Sequence, residues 1–218
     1  ILNKAVEFDY IDKSPARGVK AFNPDNRVDH RLSQDEMSRL LTTLHNHKNR
    51  TVAQIALFAL SSGMRIGEIL RIRHCDIDRE KKLLRVSESV AKNRRSRTVV
   101  CNPSALKIIE EAQAITADKY EYLFVNRRTG KPYTTIRNAW QKIRTAAGLP
   151  NYRIHDLRHE FASLALGQGV SVLLVKELLG HKQINTTVDR YAHLATDELL
   201  SASSHVSDVI ESAMRKTA

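Results

Sequence analysis

His155-Asp156-Leu157-Arg158-His159-Glu160-Phe161-Ala162-Ser163 opens a predicted helix over 156–167. His155 and Arg158 stand three residues apart at its start, so they share one face and can meet one phosphate. Downstream lie Leu178-Leu179-Gly180-His181 and Arg190-Tyr191-Ala192-His193, and upstream Gly63-Met64-Arg65-Ile66-Gly67-Glu68 supplies a second arginine. Arginine forks clamp phosphate oxygens two at a time. Histidines move protons near neutral pH, and a tyrosine hydroxyl can form a covalent intermediate. Together these residue types make a tool set for phosphate chemistry.

The rest of the chain supplies a mostly helical frame. Leu2, Val6 and Tyr10 recur at helical spacing, so Ile1 to about Tyr10 reads as the end of a helix. Ser14-Pro15-Ala16-Arg17-Gly18 and Asn23-Pro24-Asp25-Asn26 then read as loop. Ser33-Gln34-Asp35-Glu36 is a capping box, starting a helix through Leu40, Leu41 and Leu44. Thr51 to Ser61 is a second helix, apolar enough to be buried, and Gly63 stops it. A short helix from Gly67 to Arg71 carries Glu68. Lys82–Val90 and Arg97–Cys101 are β-rich runs around a basic turn, which predicts a hairpin. Asn102-Pro103 starts a helix through Leu106, Ile109 and Ala112. A short strand is expected at Leu123-Phe124-Val125 and a helix at Pro132–Ala147 around Trp140. Helices follow over about 171–179 and 185–191, with a tail helix from about 196. The fold class is therefore mostly α with a small antiparallel β-sheet. Residues 1–30 read as the remnant of a preceding domain plus a linker, 31–195 as one domain, and 196–218 as a tail.

Composition points to the partner. The 218 residues carry a formal net charge of +11 with 42% apolar content, which fits one soluble core. Arg71 to Arg97 holds ten Lys/Arg against four Asp/Glu, and Asn126 to Arg144 holds six and no acid. From Asp197 onward there are four acids and two bases. A basic body with a near-neutral tail predicts a polyanion for the body and a protein for the tail. Charge alone fits a solvated basic surface equally well; the phosphate tools beside it favour the polyanion. The longest apolar run, around Ile55 to Leu60, falls far short of the roughly 20 residues that a bilayer span needs. Ile1-Leu2-Asn3-Lys4 has no signal-peptide design, which predicts a cytoplasmic location. Cys75 and Cys101 are too few for a disulfide framework or a Cys-based zinc site.

The motifs GMRIGEIL, AKNRRSRTV, HDLRHEFAS, LLGH and RYAHL, in this order and spacing, resemble the catalytic domain of the tyrosine recombinases, the phage-integrase family. The likeness runs from about Leu32 to Leu194. It implies the DNA breaking-rejoining enzyme fold, and a small helical core-binding domain whose last helix falls within residues 1–30. It implies that Arg65 and Arg158 contact the scissile phosphate, that His155 handles protons, that His181 donates a hydrogen bond, and that Glu68 is support. Tyr191 becomes the nucleophile, forming a 3′-phosphotyrosyl bond that is rejoined without ATP. Lys92, in the turn Ala91-Lys92-Asn93-Arg94-Arg95, becomes the general acid for the 5′-oxygen. The family commonly follows this lysine with Asn-Gly, whereas this chain has Asn93-Arg94, so its turn is expected to be looser. Arg94, Arg95 and Arg97 are expected to track the DNA backbone.

No metal or cofactor is expected, because the arginines supply the positive charge. His155 and His159 have the spacing of a zinc pair, but the Glu of H-E-x-x-H is absent. His159 is read as structural. The partners implied are duplex DNA and three further copies, giving a homo-tetramer on DNA and a monomer or weak oligomer without it. The setting implied is a phage or mobile-element integrase at the nucleoid of a bacterial or phage-infected cell. The alternatives are a type IB topoisomerase-like enzyme, a DNA-binding module that has lost catalysis, and a zinc hydrolase. In the tail, Leu199, Val206, Val209, Ile210 and Ala213 form an apolar stripe, expected to dock on a neighbouring protomer on DNA.

Overall fold

In the computed structural model, which describes residues 1–19, 31–88, 90 and 96–180, the chain forms two units, Ile1–His30 and Arg31–Ala218. Among its described residues the first holds one helix, α1 (Leu2–Glu7), with no buried residue and no side-chain cap. It ends before the expected Tyr10, because Asp9 turns the chain at φ 55°.

The second unit grows around α3 (Arg50–Ser62). Asn49 caps this helix, accepting from the Val52 amide at 3.2 Å. Val52, Ala53, Ile55, Ala56, Phe58 and Ala59 are all buried, so apolar surface covers most of its circumference. It is accordingly the centre: α2 (Gln34–His45), α5 (Pro103–Thr116) and α7 (Asp156–Gly167) all pack against it. The capping box at Ser33 and Glu36 starts α2 as the sequence predicts, with reciprocal bonds of 3.2 and 2.9 Å. Asn102 and Pro103 start α5 in the same way.

Gly63 ends α3 at φ +62°, and a Cβ there would lie 2.5 Å from Phe161 Cδ1 of α7. Glycine is required twice over, for the left-handed turn and for the close approach. The chain then enters α4 (Ile66–Ile69) and a 3₁₀ turn, His74–Asp76.

Three antiparallel strands follow in spatial order: β1 (Ile77–Asp78), β2 (Leu83–Val86) and β3 (Arg97–Val100). Leu84 faces Val99 across the ladder and Val86 faces Arg97. Leu84, Val86 and Val99 are buried, so this face of the sheet lies on the core, while Val100 points out and is 61% exposed. The predicted hairpin is present with shorter strands than expected. β1 went unpredicted because two residues carry no periodicity.

Two other expectations are corrected. Of Leu123-Phe124-Val125, only Val125 lies in a strand: β4 (Val125–Asn126) pairs with β5 (Lys131–Pro132). Leu123 and Phe124 are fully buried in irregular chain, where the Leu123 amide donates to Ile72 O at 2.9 Å. A buried apolar run looks the same in sequence whether or not it joins a ladder. The helix expected from Pro132 begins five residues later, as α6 (Arg137–Ala146), because Pro132 is spent on the small hairpin. α7 and α8 (Val172–Leu179) agree with prediction, and Ser171 is the cap of α8. The helices expected over 185–191 and from 196 lie outside the described residues. The architecture is mostly α with small antiparallel sheets. Among the described residues no helix is long and apolar enough to cross a membrane.

Both cysteines are free, Cys75 exposed and Cys101 buried. Burial pushes the Cys101 thiol from 9.0 up to about 11. On raising the pH, the unfolded thiol ionises first. Its contribution to stability is therefore constant below about pH 9 and is lost between about pH 9 and 11. Across that window the native chain should lose about 2–3 kcal/mol more than Cys101→Ala, at roughly 1.4 kcal/mol per pH unit. Urea unfolding of both proteins across this range checks it, and parallel curves would contradict it.

Candidate active site

The turn at Gly63 is where distant parts of the chain meet. Arg158 on α7 is only 2% exposed. Its Nη1 donates to Gly63 O at 2.6 Å and its Nη2 to Leu179 O at 2.7 Å. One planar fork thus ties the C-terminal end of α3 to that of α8, on main-chain carbonyls that helices leave unbonded. A cation there also suits the negative ends of both helix dipoles. Gly180, next to Leu179, ends α8 in the left-handed conformation.

Arg65 lies two residues beyond Gly63, as the cap residue of α4. Its Nη1 donates to Glu68 Oε1 at 3.2 Å, and its own amide donates to Glu68 Oε2, also at 3.2 Å. The Arg65 side chain keeps 21% exposure while Glu68 keeps 2%. The carboxylate is therefore buried and holds a guanidinium that still reaches the surface. Arg97 on β3 donates from Nη2 to Glu68 Oε2 at 2.8 Å, with its side chain 17% exposed. The sequence expects Arg97 to track the DNA backbone; in the structure its side chain lies on Glu68. The missed signal was the alternation of β3, in which Arg97 shares the core-facing side with Val99.

His155 immediately precedes α7 and is exposed, while His159 is half-buried. Their rings meet edge to face with centroids 5.0 Å apart. Among the described residues no group of three metal-ligating side chains includes them.

Two further carboxylates fix α7. Asp156, 3% exposed, accepts from the Arg153 amide at 2.7 Å and from its Nε and Nη2 at 3.0 and 2.8 Å. These bonds raise the Arg153 guanidinium above its ordinary value. Glu160, 2% exposed, accepts from the Leu32 amide at 3.0 Å and lies beside Tyr152. Burial, then the charge of Glu160 and Asp156, pushes the Tyr152 phenol far up, so it stays protonated. Sequence reasoning did not single out Asp156, Arg153 or Glu160. The spacing of Arg153 and Asp156 was one available signal, and a glutamate three residues after the buried Leu157 was another.

The structure thus brings Arg65, Glu68, Arg97 and Arg158 together around the ends of α3 and α8, with His155 one turn before Arg158. Lys92, Arg94, Arg95, His181 and Tyr191 lie outside the described residues.

A helical domain of this topology, with buried carboxylates steering arginines beside a glycine turn, has the fold of the tyrosine-recombinase catalytic domains. Among solved structures, the Tn1549 transposon integrase in complex with a circular intermediate DNA superposes with a TM-score of 0.75 at 17% identity, over 93% of this chain and 74% of that one. The XerH site-specific recombinase bound to palindromic difH substrate gives 0.67 at 23% identity, over 90% of this chain and 63% of that one. The phage integrase family model matches residues 30–198, and the chain belongs to that family. A tyrosine recombinase XerC-like protein of Caldanaerobacter subterraneus subsp. tengcongensis is 26% identical over 95% of this chain and 63% of its own length. The integrase of Salmonella phage P22 is 27% identical over 88% of this chain and 50% of its own length. The chain thus spans between half and two thirds of these curated relatives.

Proposed function

We propose that the chain is the DNA-cleaving part of a site-specific recombinase or integrase, acting through a 3′-phosphotyrosyl intermediate. The observation that carries this reading is that Arg158 binds Gly63 O, two residues before Arg65, whose guanidinium is held by Glu68. Both are held by protein groups, so positive charge is in place before a phosphate arrives, and its transition state finds a prepared field.

In this reading the Tyr191 oxygen attacks the phosphorus while the bond to the 5′-oxygen breaks. Lys92 gives the leaving oxygen its proton, His155 takes the proton of the Tyr191 hydroxyl, and His181 donates a hydrogen bond to a phosphate oxygen. The new ester keeps the energy of the old one, so attack by a 5′-hydroxyl rejoins the strand and frees Tyr191. The arginines do the work that a metal ion does elsewhere. Arg94 and Arg95 follow the backbone, the tail docks on a neighbour, and four copies act together on duplex DNA. Affinity is dominated by phosphate contacts and falls steeply with salt. The setting is a phage or mobile element in a bacterial cell, at the nucleoid.

The test is a library of nicked suicide duplexes, on which cleavage traps a covalent protein–DNA adduct. EDTA should leave the yield unchanged, and strict metal dependence would contradict the reading. Lys92→Ala should cut adduct formation on normal DNA, while a 5′-thio leaving group, which needs no acid, should restore it. Failure of that rescue would assign the acid to another residue.

A further inference from the structure

Arg97 is a charge on the wrong side of a strand. Register places it opposite Val86, on the face shared with Leu84 and Val99, both almost fully buried. Such a position calls for an apolar side chain, and a cation there needs a partner. Its Nη2 finds Glu68 at 2.8 Å, a shorter contact than the 3.2 Å between Glu68 and Arg65. Its Nε is buried with no hydrogen-bond partner among the described residues. Burial alone would not select an arginine here, so what it contacts fixes it.

The other contact is Gly180. A Cβ on Gly180 would lie 2.8 Å from both Cδ and Nε of Arg97 and 3.0 Å from Cζ. The guanidinium stem thus rests on the one residue type that lets it through, at the left-handed end of α8. One side chain spans the sheet, the carboxylate of α4 and the end of α8.

We propose that Arg97 is a positioning residue for Arg65. Glu68 alone would pair one to one with the Arg65 guanidinium and neutralise it. Arg97 balances the carboxylate, so Glu68 orients Arg65 without cancelling it, and Arg65 keeps its attraction for a phosphate. The same side chain fixes the end of α8 against β3. This rests on the cleavage reading above.

The experiment is a double-mutant cycle with Arg97→Met and Glu68→Gln, read as single-turnover cleavage of a suicide duplex, duplex affinity and urea midpoint. Arg97→Met should slow cleavage by roughly 10²-fold with duplex affinity within about threefold of the native chain. Adding Glu68→Gln, which removes the carboxylate that then neutralises Arg65, should recover roughly tenfold of that loss. The urea midpoint should fall for Arg97→Met in the native background and hardly at all beside Glu68→Gln. A direct phosphate contact predicts the opposite pattern: weaker binding, a salt slope smaller by about one, and no rescue. That pattern would overturn the proposal. A native chain that forms no adduct fails the cleavage reading instead. The urea cycle then still decides whether Arg97 and Glu68 are coupled, and independent effects there would overturn the proposal by themselves.

Discussion

Arg158→Ala is expected to slow DNA cleavage by roughly 10²–10³-fold, the scale for losing a prepared charge stabiliser, and to lower stability as well. The second effect follows from the bonds that Arg158 makes. Its fork holds Gly63 O at 2.6 Å and Leu179 O at 2.7 Å, and alanine leaves both carbonyls without that partner. At about 1–3 kcal/mol for each stranded acceptor, the loss is about 2–6 kcal/mol. Arg158→Lys keeps the charge but has no planar fork to span two carbonyls, so it should recover only part of either effect. Urea unfolding gives the stability and single-turnover cleavage at fully folded concentrations gives the chemistry. If Arg158→Ala stays as stable as the native chain, the fork is not what ties α3 to α8. If it cleaves at the native rate, Arg158 is no phosphate clamp.

Tyr191→Phe is expected to abolish the covalent adduct while leaving duplex affinity and the unfolding midpoint nearly unchanged. The variant loses one oxygen, the atom proposed to form the ester. A free phenol titrates near pH 10, so the oxygen needs surrounding cations to react at neutral pH. Tyr152 shows the contrasting case. It is 2% exposed, and burial together with Glu160 and Asp156 keeps its phenol protonated. Tyr122 lies under Arg73, 5.6 Å from guanidinium carbon to ring centroid, and the Tyr133 hydroxyl accepts from Asn49 Nδ2 at 3.3 Å. Adduct formation by the Phe variant at the native rate would remove Tyr191 from the mechanism.

Local signals carried much of the fold. Ser33 and Glu36 announce α2, Asn102 and Pro103 announce α5, and Gly63 ends α3, because caps and left-handed turns are chemistry within a few residues. Short pairings were not legible. β1 has two residues, and Pro132 joins a hairpin only because Val125 lies opposite. The site divides in the same way. Arg65 and Glu68 lie three residues apart, so their pairing could be read from the sequence. The fork of Arg158 on Gly63 spans 95 residues and depends on how α7 lies against α3. Arg97 opens a β-rich run and reads as one more cation beside the basic turn. Only the register of β3 turns it toward Glu68.

The central claim is that a tyrosine in the Arg190-Tyr191-Ala192-His193 segment makes the covalent bond to DNA. The direct measurement is mass spectrometry of the trapped adduct after digestion of both protein and DNA. The account predicts a nucleotide remnant on a peptide containing Tyr191, attached through a 3′-phosphate. A remnant on Tyr122 or Tyr133, attachment through a 5′-phosphate, or cleaved DNA with no modified peptide would contradict it.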